Sequence, residues 1–481
     1  MPRRSAAIES TDRPEVLDSP AVNVVFIVVD SLRYDAALGR FGNASTPFFT
    51  RLAGETVCFR RAYATECWTL PTHMSMFTGL LPSEHGAHFQ SMAYRLAQPT
   101  VAELFAAAGY HTEIITRNSI FDGGLPGVTR GFQRTTWPVS ERCASGAGAL
   151  LLTLSKPRFR RQIDASGFFA QLQRENREFV MTFARSILPA DRLALRHALD
   201  RMASLGRDGT PYFLFLNLYD VHAPYSPSLD SIFRPLWPPI GWPDRLLAPI
   251  VLARIGGHAY LRPDFRLWDV TRKLLTSRYG RAVELMDAKL AAFYDQAVAD
   301  GLLDDTLLVV CSDHGEAFGD HDLYLHDASV YDTHLHVPLY VRLPGQTPRV
   351  VDDVVSTRDL AGVMQIALRN GRIDGTILDA EYRGENQIAL AEHFFYPRAR
   401  RAAAKYRQNL MAAIGGQAKI IVRREGCFEY SLDCDPHESR AERGSFESFA
   451  SKCRASGVSE GSKSGALARL RAWENAQPAS A

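Results

Sequence analysis

The chain has 481 residues, 46% of them hydrophobic, enough to bury a large core and too long for one small fold. Its formal charge of +2 creates no global field toward nucleic acid, because Lys and Arg cluster only locally. Seven cysteines at irregular spacing, without a Cys-x-x-Cys pair, argue against a zinc knuckle or a disulfide framework and for reduced thiols in a cytoplasmic protein.

Residues 1–20 are polar, hold Pro14 and Pro20, and read as a disordered leader without the apolar core of a secretion signal. Val22–Val29 is then almost continuously apolar and β-branched, the pattern of a strand covered on both faces, and it stops at Asp30. Pro99–Ala108 reads as a helix ended by Gly109, and Thr112–Thr116 as the next strand. Residues 136–205 form a mainly helical insertion with the basic run Lys156, Arg158, Arg160 and Arg161. Tyr212–Leu218 is a strand ending near Asp220, and 226–275 is a second insertion rich in Pro, Trp and Leu. Ser277–Ala299 is the clearest amphipathic helix, Thr306–Cys311 a strand ending near Asp313, and Pro338–Leu343 and Gln387–Ala391 are shorter strands. Beyond about residue 350 a smaller unit follows, with a hairpin-like pair near Ala418–Val422 and Cys427–Leu432, and 441–481 reads as a polar tail. Strands alternating with helices predict an α/β fold: a large, mostly parallel central sheet with helices on both faces (21–350), plus a smaller C-terminal α+β subdomain (351–440). No apolar run reaches the roughly 20 residues a membrane-spanning helix needs.

Three strand ends carry metal-type ligands: Asp30, Asp220 with His222, and Asp313 with His314. A lone Asp at a strand end is usually a turn or a helix cap. Three such ends fit a site at the carboxyl edge of a parallel sheet better than three caps.

The residues also resemble the sulfatase-type enzymes of the alkaline phosphatase superfamily, in that family's order from about 22 to 440. Asn23-Val-Val-Phe-Ile-Val-Val-Asp-Ser-Leu-Arg-Tyr-Asp35 is similar to the opening strand, whose terminal Asp binds metal, and Thr46-Pro-Phe-Phe-Thr-Arg-Leu-Ala53 to the helix after it. Trp68-Thr-Leu-Pro-Thr-His-Met-Ser-Met-Phe-Thr-Gly79, with Pro82 and His85-Gly86, looks like the nucleophile segment. Cys311-Ser-Asp-His-Gly-Glu316 with Gly319-Asp-His321 resembles the second metal segment, and Tyr430-Ser-Leu-Asp-Cys-Asp-Pro-His-Glu438 the closing motif. The resemblance implies that Asp30, Thr69, Asp313 and His314 hold a divalent metal. It also implies that Thr69 is the nucleophile and that His222, in Asp220-Val-His-Ala-Pro224, contacts the transferred group. His326 lies where relatives place a Lys or His near the leaving oxygen, so either histidine is a candidate general acid. Arg117 or Asn118 is the candidate contact for the anion.

The departures from the family pattern are chemical. Sulfatases carry Cys-x-Pro-Ser-Arg, whose Cys becomes formylglycine, whereas this chain has Thr69-Leu-Pro-Thr-His73, with Cys67 two residues early. The Lys-x-His pair is replaced by Arg117-Asn-Ser119. An imidazole in the ligand set favours Mn²⁺ or Zn²⁺ over Ca²⁺. A Thr hydroxyl needs a metal to become a useful nucleophile. The expected activity is therefore metal-dependent hydrolysis or transfer of a phosphate ester, a diester above all, through a phospho-threonine. Sulfate-ester hydrolysis and a non-catalytic binding role are the alternatives. A small molecule or a lipid headgroup would carry the ester, the insertions allow peripheral membrane contact, and no nucleic acid is expected.

Overall fold

A computed structural model describes residues 22–94, 97–122, 125, 127–137, 190–223, 225, 266, 269–326, 328–395 and 404–476. The expected leader, the basic run 156–161, the Trp/Pro-rich 232–249 stretch and most of both insertions lie outside these residues. The central sheet is built from β1 (Asn23–Val29), β2 (Val57–Tyr63), β3 (His111–Thr116), β4 (Arg134–Thr136), β5 (Tyr212–Leu218) and β6 (Thr306–Cys311). After a short hairpin of β7 (Ala317–Phe318) and β8 (Tyr324–Leu325), β9 (His336–Arg342) and β10 (Arg349–Ser356) complete it. The strand order is β10-β2-β9-β6-β1-β5-β3-β4. Only β9 runs antiparallel to its neighbours, β2 and β6.

All seven residues of β1 are buried, and their side chains alternate between two cores. Val24, Phe26 and Val28 pack with Phe77, Phe105, Phe213 and Phe215 on one face. Val25, Ile27 and Val29 pack with Phe49, Leu214, Tyr279, Val283 and Met286 on the other. This two-sided cover explains why the strand reads as continuously apolar rather than alternating. The main helices are α1 (Pro47–Glu55), α2 (Thr69–Thr78), α3 (Val101–Ala107), α4 (Ala190–Arg207) and α5 (Asp269–Ala299). The mostly parallel sheet with helices on both faces is as predicted from the sequence.

The domain limits differ. A boundary at 350 falls inside the main sheet, because β10 pairs in parallel with β2. A second sheet, β11 (Ile388–His393), β12 (Leu410–Gly415), β13 (Ala418–Arg423), β14 (Gly426–Ser431) and β15 (Glu442–Arg443), is antiparallel throughout. The stretch read as a polar tail folds in large part into α6 (Phe446–Ala455) and α7 (Glu460–Ala476). Phe446, Phe449, Cys453 and Leu470 bury themselves on Met411, Ile420 and Val422 of that sheet. A few apolar anchors dispersed among Ser, Gly and Arg suffice when a sheet face is waiting for them.

Candidate active site

The carboxyl ends of β1, β3, β5 and β6 meet at one edge of the sheet. Asp30 follows β1, and Ser31 after it takes φ +63°, a left-handed turn uncommon for a residue with a Cβ. Two braces hold that turn. The Tyr279 hydroxyl accepts from Arg33 N–H and donates to the Ser31 carbonyl, each at 2.8 Å. The Ser31 N–H donates to Asp313 Oδ1 at 3.1 Å. Arg33 and Asp35 pair at 2.7 Å.

Asp30, Asp313 and His314 are fully buried, and one ligating atom from each lies within 4.8 Å of the others. Asp313 Oδ1 accepts from the Ser31 and His314 backbone N–H groups. Its Oδ2 has no hydrogen-bond partner among the described residues. His314 Nδ1 lies 2.9 Å from the Gly315 carbonyl, and since a carbonyl only accepts, Nδ1 carries the hydrogen. The lone pair on Nε2 therefore faces Asp313 Oδ2 at 3.4 Å and Asp30 Oδ1 at 3.8 Å, again without a donor. A buried lone pair aimed at two carboxylates is repulsive unless a cation lies between them. Burial and the neighbouring Asp30 hold the Asp313 carboxyl well above the usual carboxylate range. Burial likewise pushes the His314 imidazole down, so the ring is neutral and able to ligate. These residues fit a divalent metal.

Thr69 opens α2 with its Oγ1 3.5 Å from Asp30 Oδ2. The helix cap is Trp68, whose side chain makes no capping bond, so the Thr69 hydroxyl is not occupied as a cap. Backbone N–H groups of the first turn and the helix dipole favour negative charge there. His73, one turn on, donates from Nδ1 to the Thr69 carbonyl at 2.7 Å. Burial lowers its pKa to about 4, so His73 orients the helix start as a neutral ring.

The histidines form a wall. His222 donates from Nδ1 to its neighbour's carbonyl, Ala223 O, at 2.7 Å, so the Tyr219 hydroxyl, 3.3 Å from Nε2, donates to the ring. The His326 ring lies 4.9 Å from that of His222 and 4.5 Å from that of His314. Its Nδ1 meets the buried Glu316 carboxylate at 3.1 Å. Thr69, His222, His326, Asp30, Asp313 and His314 therefore belong to one centre.

The two candidate anion contacts stand differently. The Asn118 amide donates to Asp30 Oδ2 at 3.1 Å, orienting a carboxylate of the candidate metal group. Arg117 pairs with Asp220 Oδ1 at 2.5 Å and Asp191 Oδ1 at 3.4 Å, with Lys289 also paired to Asp220. Arg117 is thus a member of a buried charge network, because two carboxylates removed from water claim its guanidinium. Asp191 accepts from the N–H groups of Tyr219 and Asp220 at 2.7 and 2.6 Å, fixing the loop that bears His222. Asn217 was missed from sequence. Its amide lies 3.3 Å from Asp30 Oδ2, and the available signal was a single amide inside an otherwise apolar strand, which must find a partner.

Residues 22–364 match the family model described as Sulfatase. The chain belongs to the sulfatase family. Enzymes of this family are metal-dependent, in keeping with the ligand group above. Human iduronate 2-sulfatase is 22% identical over 366 residues, covering 68% of this chain and 60% of that protein. The ulvan-active sulfatase of Formosa agariphila is 23% identical over 360 residues, covering 73% and 63%. The chain thus spans less than two thirds of the length of either relative. The choline-sulfatase of Rhizobium meliloti is 23% identical over 385 residues, covering 71% and 68%. Among solved structures, the phosphonate monoester hydrolase of Agrobacterium radiobacter superposes with a TM-score of 0.62 at 20% identity, covering 94% of this chain and 96% of that one. At such identity the superposition establishes the fold of the family, not the substrate.

Proposed function

We propose that this family member hydrolyses, or transfers the phosphoryl group of, a monoanionic phosphate ester of the diester class, with Thr69 as nucleophile. The observation that carries the reading is the Thr69 hydroxyl beside Asp30, at a helix start and free of any capping bond. Asp30, Asp313 and His314 would hold the metal, and a mixed carboxylate and imidazole set favours Mn²⁺ or Zn²⁺ over Ca²⁺. When bound, the cation supplies Lewis acidity at the reacting oxygens. Thr69 Oγ releases its hydroxyl proton to solvent and forms the new bond to phosphorus as the bond to the leaving oxygen breaks, and that oxygen takes a proton from a histidine of the wall. His326 and His222 are the candidate acids, with Glu316 fixing Nδ1 of the first and Ala223 and Tyr219 holding the ring of the second. The resulting phospho-threonine passes its phosphoryl group to water or to an acceptor alcohol.

Charge supports the diester class. Among the described residues, Arg117, over the Tyr219 ring, and Lys289 are paired with Asp191 and Asp220. A dication would be offset by Asp30 and Asp313, leaving little positive field for a dianionic monoester. The rival reading, sulfate-ester hydrolysis, draws on the names of the relatives. It would need a formylglycine, yet the Cys67 sulfur lies 3.6 Å from His393 in a separate cluster. The deciding experiment is a panel of aryl phosphate monoesters and diesters, phosphonate monoesters and sulfates, assayed with Mn²⁺, Zn²⁺ and Ca²⁺. Diesters are expected to exceed monoesters in kcat/KM by roughly tenfold, equivalent to about 1.4 kcal/mol of charge repulsion. Sulfate esters as best substrates, with Cys67 converted to formylglycine by mass spectrometry, would replace this reading.

A further inference from the structure

A second group of ligating atoms lies outside the Asp30 centre. Glu66 and Cys67 sit in the loop between β2 and α2, and His393 ends β11 of the C-terminal sheet. All three are buried, at 0%, 0% and 1% exposure, and one ligand atom from each lies within 4.8 Å of the others. The Cys67 sulfur is 3.6 Å from His393 Nδ1, and Glu66 Oε1 is 2.9 Å from the same nitrogen. Bonds of about 2.3 Å to sulfur and about 2.0 Å to nitrogen, set at tetrahedral angles, separate those two atoms by about 3.5 Å. The same arithmetic asks for about 3.3 Å between nitrogen and oxygen, so the Glu66 carboxylate would retreat by a few tenths of an ångström.

We propose that Glu66, Cys67 and His393 form a second metal site, for a thiophilic cation of the zinc class, that fastens the loop ahead of Thr69 to the C-terminal sheet. Three protein ligands of sulfur, nitrogen and oxygen type leave the fourth tetrahedral corner for solvent. Thiolate ligation selects zinc-like ions over the Mg²⁺ or Ca²⁺ that all-oxygen sets take. As the side chains stand, His393 Nδ1 donates to Glu66, and Nε2 is buried without a hydrogen-bond partner among the described residues. Ligation moves the imidazole hydrogen to Nε2, turns the Nδ1 lone pair to the metal, and releases the Cys67 thiol proton to solvent. The bridge would reinforce contacts already present between this part of the chain and the C-terminal sheet. Glu392 N–H donates to the Thr65 carbonyl at 2.8 Å, and Ser83 donates twice to the Glu392 carboxylate, at 2.7 and 2.8 Å. Trp68 alone separates Cys67 from Thr69, so the site would set where α2 begins.

The test is cobalt substitution in the full-length chain, a readout independent of turnover and of the function proposed above. Stripped protein is reloaded with Co²⁺ and read by absorption spectroscopy. A thiolate ligand produces a near-ultraviolet charge-transfer band that the oxygen and nitrogen atoms of the Asp30 centre do not. The band is expected in the wild type and in Asp313→Asn, and is expected to vanish in Cys67→Ser. His393→Gln and Glu66→Gln, which keep the thiol, are expected to lose or strongly weaken it, and they decide the matter if the Cys67 variant does not fold. A folded wild type without the band, or a band that survives Cys67→Ser, overturns the proposal.

Discussion

Replacing Thr69 by alanine separates chemistry from stability, because the structure assigns the hydroxyl almost no structural duty. Its contact with Asp30 is long, at 3.5 Å, and the backbone carbonyl of the same residue, which takes bonds from His73 and Thr72, survives the change. The lost hydroxyl and methyl together cost about 1–2 kcal/mol of stability. If the hydroxyl is the nucleophile, turnover falls on the order of 10⁴-fold or more. Thr69→Ser is expected to keep measurable turnover, since it retains the attacking oxygen. Thr72→Ala, one turn face away, loses buried bonds to the Trp68 and Thr69 carbonyls at 2.9 and 3.0 Å. It is expected to match Thr69→Ala in thermal shift but not in rate. Steady-state assays on an aryl phosphodiester, thermal unfolding and metal analysis by mass spectrometry on the same preparations give the comparison. Thr69→Ala with metal retained and turnover close to wild type would refute the nucleophile assignment.

Asp313 titrates in the folded chain well above its ordinary carboxylate value because of burial and Asp30. The native state then holds a proton that the unfolded state has released, so metal-stripped protein loses stability as pH rises from about 4 through the raised pKa. Thermal melts against pH should show that slope, and added divalent metal should abolish it. Arg117→Ala leaves the buried Asp191 without its cation and Asp220 with Lys289 alone, and is expected to destabilise by about 3–5 kcal/mol in chemical denaturation. A change confined to KM, with stability intact, would restore Arg117 as an anion contact. Asn118→Ala removes the amide that orients Asp30, and metal affinity measured by titration is expected to weaken roughly 10- to 100-fold.

Much of the centre was legible from the chain because its residues sit where a buried strand stops: Asp30 after Val29, and Asp313 shortly after Cys311. Thr69 was legible through the Trp68–Gly79 stretch, which resembles the family's nucleophile segment, and it stands at a helix start. Arg117 was not, because its partner Asp191 lies on α4, 74 residues away, and only tertiary packing decides which charge a guanidinium meets. Asn217 was absorbed into the apolar reading of β5, although its amide reaches Asp30. The antiparallel sense of β9 and the fold of 446–476 were illegible for a related reason. Strand direction and sparse apolar anchors acquire meaning only against the neighbours they pack on.

The hydroxyl of Tyr279 that steadies the Ser31 turn belongs to a helix with other commitments. Further along α5, Asp287 accepts from the first free N–H groups of α1 at Phe48 and Phe49, at 3.0 and 2.9 Å, and Lys289 reaches Asp220. One 31-residue rod, about 46 Å long, therefore clamps the β1 turn, the β5 loop and the start of α1. Amides at Arg33, Phe48 and Tyr219 should accordingly share a single opening free energy in hydrogen exchange, so that local fraying cannot disarm one part of the centre while sparing the rest.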